Sequence, residues 1–115
     1  MSDIKEITEK IKEFRDERDW MQFHNHKDMA ISLVLEATEV LEHFQWKSPE
    51  EIEEYTKDNK DEIGEELADV AKYLFELADN LGVDLGEAIE SKMKKDGQKY
   101  PVEKARGRHT KYNKL

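Results

Sequence analysis

Apolar residues recur along this chain at steps of three and four. Ile4, Ile7, Ile11 and Phe14 form the first such stripe. It predicts a helix over residues 2–18, because positions three and four apart share one face of a 3.6-residue turn. The stripe breaks at "DWMQFHNHKD", which reads as a loop or a bent approach to the next helix, predicted over residues 27–44. Ser48-Pro49-Glu50-Glu51 has the form of a capping box with proline in the first turn, and it starts a short helix predicted to end near Lys57. "KDNKD" then reads as a polar linker. Ile63, Leu67, Val70, Leu74, Leu77 and Leu81 line one side of a helix predicted over residues 61–81, with Gly82 as its C-terminal cap. Asp84 with Glu87 resembles another capping box and opens a helix predicted to end near "KKDG". The remainder, "QKYPVEKARGRHTKYNKL", is basic, carries Gly, Pro and Tyr, and is expected to be extended.

The second helix raises a question, because acids sit among its aliphatic residues. At about 100° per residue, Leu33, Val34, Ala37, Val40, Leu41 and Phe44 form the main apolar arc. Glu36, Glu39 and His43 fall roughly opposite, flanked by Ile31 and Leu35. A helix apolar around so much of its circumference is buried on more than one side, so its acids should face a cleft or another helix. The later helix repeats the arrangement: "DEIGEELADVAKYL" places Glu62, Glu66, Asp69 and Tyr73 along one line. Each helix thus presents a carboxylate pair at i, i+3, on neighbouring turns of one face. If Glu36, Glu39, Glu66 and Asp69 converge, four negative charges need compensation. A hard divalent cation such as Mg²⁺ supplies it and commonly bridges carboxylates to substrate phosphates, which suits phosphoryl transfer or hydrolysis. The competing reading is that E-x-x-E marks the solvated face of an acidic helix. Periodicity leaves both open.

Composition narrows the field. The 115 residues favour a single domain, with residues 1–100 as helical core and 101–115 as a basic tail. Two prolines and five glycines, placed at boundaries, suit helices better than strands. Lys and Arg number 19 against 28 Asp and Glu, a formal charge of −9. Such a surface repels nucleic-acid polymers and anionic membranes, but admits a polyanionic small molecule when metal ions lie between the charges. There is no cysteine, so thiolate metal sites and disulfides are excluded. "MSDIKEITEK" has no apolar signal core, and no apolar run approaches the ~20 residues of a membrane span. A cytoplasmic protein is expected.

Three stretches carry a resemblance. "RDERDWMQFHNHKDMAISLVLEATEVLEHFQWK", then "EELADVAKYLFELADNLGVDL", then "KMKKDGQKYPVEKARG" resemble the MazG-type nucleotide pyrophosphohydrolases. They are most similar to the dCTP pyrophosphatase-like branch of the all-α NTP pyrophosphatases. The resemblance spans residues 14–112 and rests on the order E-x-x-E, F-Q-W, E-E-L-x-D-V, K-Y-P-V and R-G. It implies an all-α fold on a four-helix core, assembled as a homodimer or homotetramer. It also implies Mg²⁺-dependent cleavage of a nucleoside triphosphate between the α and β phosphates, for nucleotide-pool house-cleaning, with dCTP-like substrates favoured. On the same basis Glu36, Glu39, Glu66 and Asp69 are expected metal ligands, and Glu65 is expected to orient the attacking water. Trp20, His24, Trp46 and Tyr73 fall to the base, since an indole face stacks on a base and an imidazole can hydrogen-bond its edge. Lys92 and Arg106, with Lys99 and Arg108 nearby, are expected to offset phosphate charge. The bland counterparts are tryptophans that anchor a core or an interface, and a tail that pairs with acidic helices. Two positions depart from the family, which often has asparagine at Asp28 and Asp96; an ionised aspartate accepts hydrogen bonds but does not donate them. Two other functions stand beside this one: a phosphoribosyl-ATP pyrophosphatase-like enzyme of the same superfamily, and a non-catalytic helical interaction module.

Overall fold

The computed structural model describes residues 3–115, and these are all-helical, as the periodicity predicts. Helix α1 (Ile4–Glu17) starts at Asp3, whose carboxylate accepts from the Glu6 amide at 2.8 Å. A 3₁₀ turn (Met21–Phe23) occupies the stretch where the stripe breaks. Helix α2 (His26–Glu42) is capped by Asn25, which accepts from the Asp28 amide at 2.8 Å and donates to the Asp28 carboxylate at 2.7 Å. Helix α3 (Pro49–Asp58) opens with the reciprocal bonds of the predicted capping box, each 3.2 Å, between Ser48 and Glu51. Ser48→Ala removes one of them and is expected to cost about 1 kcal/mol in urea unfolding. A loss under ~0.3 kcal/mol would mean that Pro49 and the helix's packing hold this end alone.

Helix α4 (Lys60–Asn80) corrects the expected linker. Asn59 alone separates it from α3, closing one helix through its own amide to the Tyr55 carbonyl at 3.0 Å and opening the next by accepting from the Ile63 amide at 3.0 Å. One residue with φ −120° therefore does the work that "KDNKD" suggested for five. Gly82 follows α4 at φ +73°, a left-handed position where Cβ is disfavoured. Helix α5 (Leu85–Lys99) is capped by Asp84 as predicted, but runs through Gly97 to Lys99 rather than stopping at "KKDG". Pro101 restricts Tyr100 and ends it. The segment beyond is not extended throughout: it forms helix α6 (Val102–Ala105) and a 3₁₀ turn (Tyr112–Lys114). Tyr112 packs edge-on against Tyr100 at 6.1 Å and lies under the Lys99 ammonium, which ties this segment to the end of α5.

The chain divides into two compact units, Met1–Gly82 and Val83–Leu115. In the first, α4 is the central rod, and α2, α1 and α3 each pack on it. The wheel of α2 is turned from the one expected. Met29 is buried, and Leu33, Glu36, Val40, His43 and Phe44 are buried or half-buried, whereas Ile31, Val34, Leu35 and Leu41 are exposed. On α4, Ile63 is buried but Leu67, Leu74 and Leu81 are exposed. Few side chains of the first unit are fully buried, and Arg15, His43 and Glu76 are among them. No helix among the described residues is long and apolar enough to cross a membrane.

Candidate active site

Two sets of residues along α4 carry chemistry, one shared with α2 and one with α1. The first is acidic. Glu36 projects from the packed side of α2, and its Oε2 is buried without a hydrogen-bond partner. Burial pushes its carboxyl above the usual carboxylate range, and the nearby Glu39, Asp69 and Glu66 push it further. The other three acids of the two i, i+3 pairs thus lie within electrostatic reach of Glu36. Glu39 lies on the exposed flank, and Asp69 is held at 3.6 Å by Lys72. Glu65 is exposed, with no hydrogen-bond or ion-pair partner among the described residues.

A residue that the sequence noted without assigning a role completes this set. His43 is 8% exposed and sits between helices: Nδ1 lies 2.6 Å from the Tyr55 hydroxyl on α3, and Nε2 lies 2.6 Å from Glu66 Oε2 on α4. The second contact is close but poorly aligned, and both atoms lack a well-formed hydrogen bond. Position 43 follows Glu36 and Glu39 on the same face, so helical spacing could have flagged it.

As they stand, no three carboxylate or imidazole groups among the described residues surround one point closely enough to hold an ion. The donor set still fits a hard cation. It is all carboxylate, it carries an orphaned buried oxygen on Glu36, and its nearest cationic group is Lys72 on the flank.

The second set is a small solvent-open cleft of about 70 Å³. Phe14 and Trp20 form an edge-to-face pair at 5.9 Å on one side, and Tyr73 and Lys72 lie on α4. Three expected base contacts, Trp20, His24 and Tyr73, therefore share one cleft. Trp46 does not line it. That residue is 92% exposed and held at φ +66°, an unusual conformation for a bulky side chain.

The cleft is floored by a polar network that sequence reasoning missed. Glu76, 2% exposed, receives His24 Nδ1 at 2.8 Å, Asn80 Nδ2 at 3.1 Å and Arg15 Nη1 at 3.5 Å. Arg15 in turn bonds Asp16 at 2.8 Å. The signal for Glu76 lay in the acidic line itself, since Glu66, Asp69 and Tyr73 extend by one more helical turn to position 76. In the second unit, Lys92 pairs with Asp96 one turn along α5. Both departures from the family pattern, Asp28 and Asp96, thus serve their own helices.

The sequence pattern of the MazG-like family matches residues 31–115. The chain belongs to this family. This MazG-like chain is 43% identical over 105 residues to dCTP pyrophosphatase 1 of Mus musculus, and 40% identical over 105 residues to that of Homo sapiens. Each match covers 90% of this chain and 62% of the relative, so the chain spans about three-fifths of the length of these curated relatives. It also matches the crystal structure of a pyrophosphatase from Archaeoglobus fulgidus DSM 4304. That match has a TM-score of 0.82 and 39% identity, and covers 88% of this chain and 94% of that one.

Proposed function

We propose that this MazG-like chain is a divalent-metal-dependent pyrophosphohydrolase that cleaves nucleoside triphosphates to the monophosphate and pyrophosphate, with dCTP-like substrates favoured. The observation that carries the reading is the half-buried Glu36, whose Oε2 is buried without a partner and whose carboxyl is pushed up by burial and by Glu39, Asp69 and Glu66. Structural ion pairs rarely gather acids without cations, whereas a site built for a metal and a triphosphate does. The names of the curated relatives support the same activity and point to the cytosine nucleotide.

In this reading Glu36, Glu39, Glu66 and Asp69 hold Mg²⁺. When bound, the ion neutralises the acids and draws charge from the phosphate oxygens. The remaining work falls to the chain. His43 holds Glu66 toward the acidic group, fixed from behind by Tyr55. Glu65 accepts a proton from the attacking water. Trp20 and Tyr73 flank the base, and His24 meets its edge. A homodimer or homotetramer in the cytoplasm completes the proposal. The exposed apolar face of Ile31, Val34, Leu35 and Leu41 on α2 supports self-association.

The test is pyrophosphate release from a panel of (d)NTPs with Mg²⁺. A thermal melt gives an independent check. Mg²⁺ with an α,β-imido dCTP analogue at ~100 times its Kd is expected to stabilise the fold by about 2.7 kcal/mol, because only the folded state binds. Mg²⁺ or nucleotide alone should give much less. The interaction-module reading requires no shift in any arm. Phosphoribosyl-ATP, placed in the same panel, separates the superfamily alternative.

A further inference from the structure

The floor of the cleft contains a device that would decide which bases it accepts. Glu76 is an ionised acceptor pinned from behind by two groups that can only donate, Arg15 Nη1 and Asn80 Nδ2, both aimed at Oε2. His24 Nδ1 meets both carboxylate oxygens, Oε2 at 2.8 Å and Oε1 at 3.0 Å, and is the single partner of Oε1. A carboxylate cannot donate, so the contact forms only if the hydrogen of the imidazole sits on Nδ1. In the neutral ring Nε2 then carries the bare lone pair, and it has no protein partner among the described residues. The ring that carries it lines the cleft beside Trp20.

We infer that Glu76 locks His24 in the Nδ1–H tautomer, so that the cleft presents an acceptor and selects bases bearing an exocyclic amine over their oxo counterparts. The inference rests on the pyrophosphohydrolase reading for its ligand class, and it adds the residues that set the choice. An amino base donates to Nε2. An oxo base brings its own lone pair to the same place, leaving two acceptors face to face.

The lock makes its clearest demand on the ring itself. Nδ1 lies within hydrogen-bond distance of both Glu76 oxygens, so an amide oxygen at Oε2 would still accept from it. In His24→Gln, by contrast, the side-chain amide can turn either way and offer an acceptor or a donor, so the preference should be lost.

The experiment has two arms. Nitrogen-15 NMR of the unliganded protein at pH 8 reads which ring nitrogen of His24 carries the proton. Calorimetry with Mg²⁺ and the α,β-imido analogues of dCTP and dUTP reads the discrimination. We expect Nδ1–H and an unprotonated Nε2 in the wild type. One mismatched polar contact is worth about tenfold in Kd, favouring dCTP in the wild type. In His24→Gln the ratio should fall to about one. A proton on Nε2 or on both nitrogens of the wild type overturns the inference, as does a dCTP preference unchanged in His24→Gln. Equal wild-type binding of the two analogues overturns it while leaving the hydrolase standing. Failure of both to bind removes the hydrolase reading as well.

Discussion

Glu36→Gln is expected to remove pyrophosphate release and, in the metal-free protein, to raise the melting temperature at neutral pH. Both effects follow from one carboxylate. Its pKa is raised in the folded state by burial first, then by Glu39, Asp69 and Glu66, so folding favours its protonated form. By linkage, a folded pKa above the unfolded one gives stability that is full at low pH. That stability is lost as pH climbs from the ordinary carboxylate pKa through the raised value, and stays lost above it. Above the raised value the wild type therefore carries a half-buried charge that glutamine does not. Near pH 4 the carboxyl is protonated and the difference between the two proteins should close. Mg²⁺ should invert the order at pH 7, because only the wild type offers the full set of acids. Activity should fall by more than about 100-fold, beyond the ~10–100-fold usual for a residue that merely supports a metal ligand. Melts across pH 4–8 with and without Mg²⁺, alongside pyrophosphate release, read all of this. A metal-free variant that melts below the wild type at pH 7, or one that keeps activity within a few-fold, would remove Glu36 from the site.

Arg15→Met should be the most damaging single change to the fold of the first unit. Arg15 is 7% exposed on α1, and it faces Glu76, 2% exposed, on α4. Removing one partner of a buried pair strands the other charge, at a cost of about 3–5 kcal/mol, far above the ~0–1 kcal/mol of a surface ion pair. The double variant Arg15→Met with Glu76→Gln should recover much of the loss, since no buried charge then remains. Urea unfolding at pH 8 measures the cycle. A single-variant loss under ~1 kcal/mol, or a double variant no better than the single, would show that water reaches Glu76 and that the network is not a closed one.

The acidic pairs were legible because helical spacing is local arithmetic. Glu36 with Glu39, and Glu66 with Asp69, share faces whatever the helices pack against. The resemblance to MazG-type enzymes supplied what spacing could not, the expectation that the two faces meet. Trp20, His24 and Tyr73 were likewise named from a motif and fall in one cleft. Arg15 and Glu76 were not. Each looks like an ordinary surface charge in an acidic helical chain, and only the docking of α1 on α4 turns the two toward each other.

The first five helices, most of their starts and the acid pairs were settled by the sequence alone, since they rest on caps, periodicity and residues a few positions apart. Only the tertiary structure decided which side of α2 is inside. That helix is apolar around most of its circumference, so burying Val34 and Leu41 or burying Glu36 and His43 would each satisfy the local pattern. The choice belongs to the neighbour: α4 presents Glu66, Asp69, Tyr73 and Glu76 as its inward line, and the polar groups of α2 and α1 turn to meet them because a buried charge without a partner is the costlier arrangement.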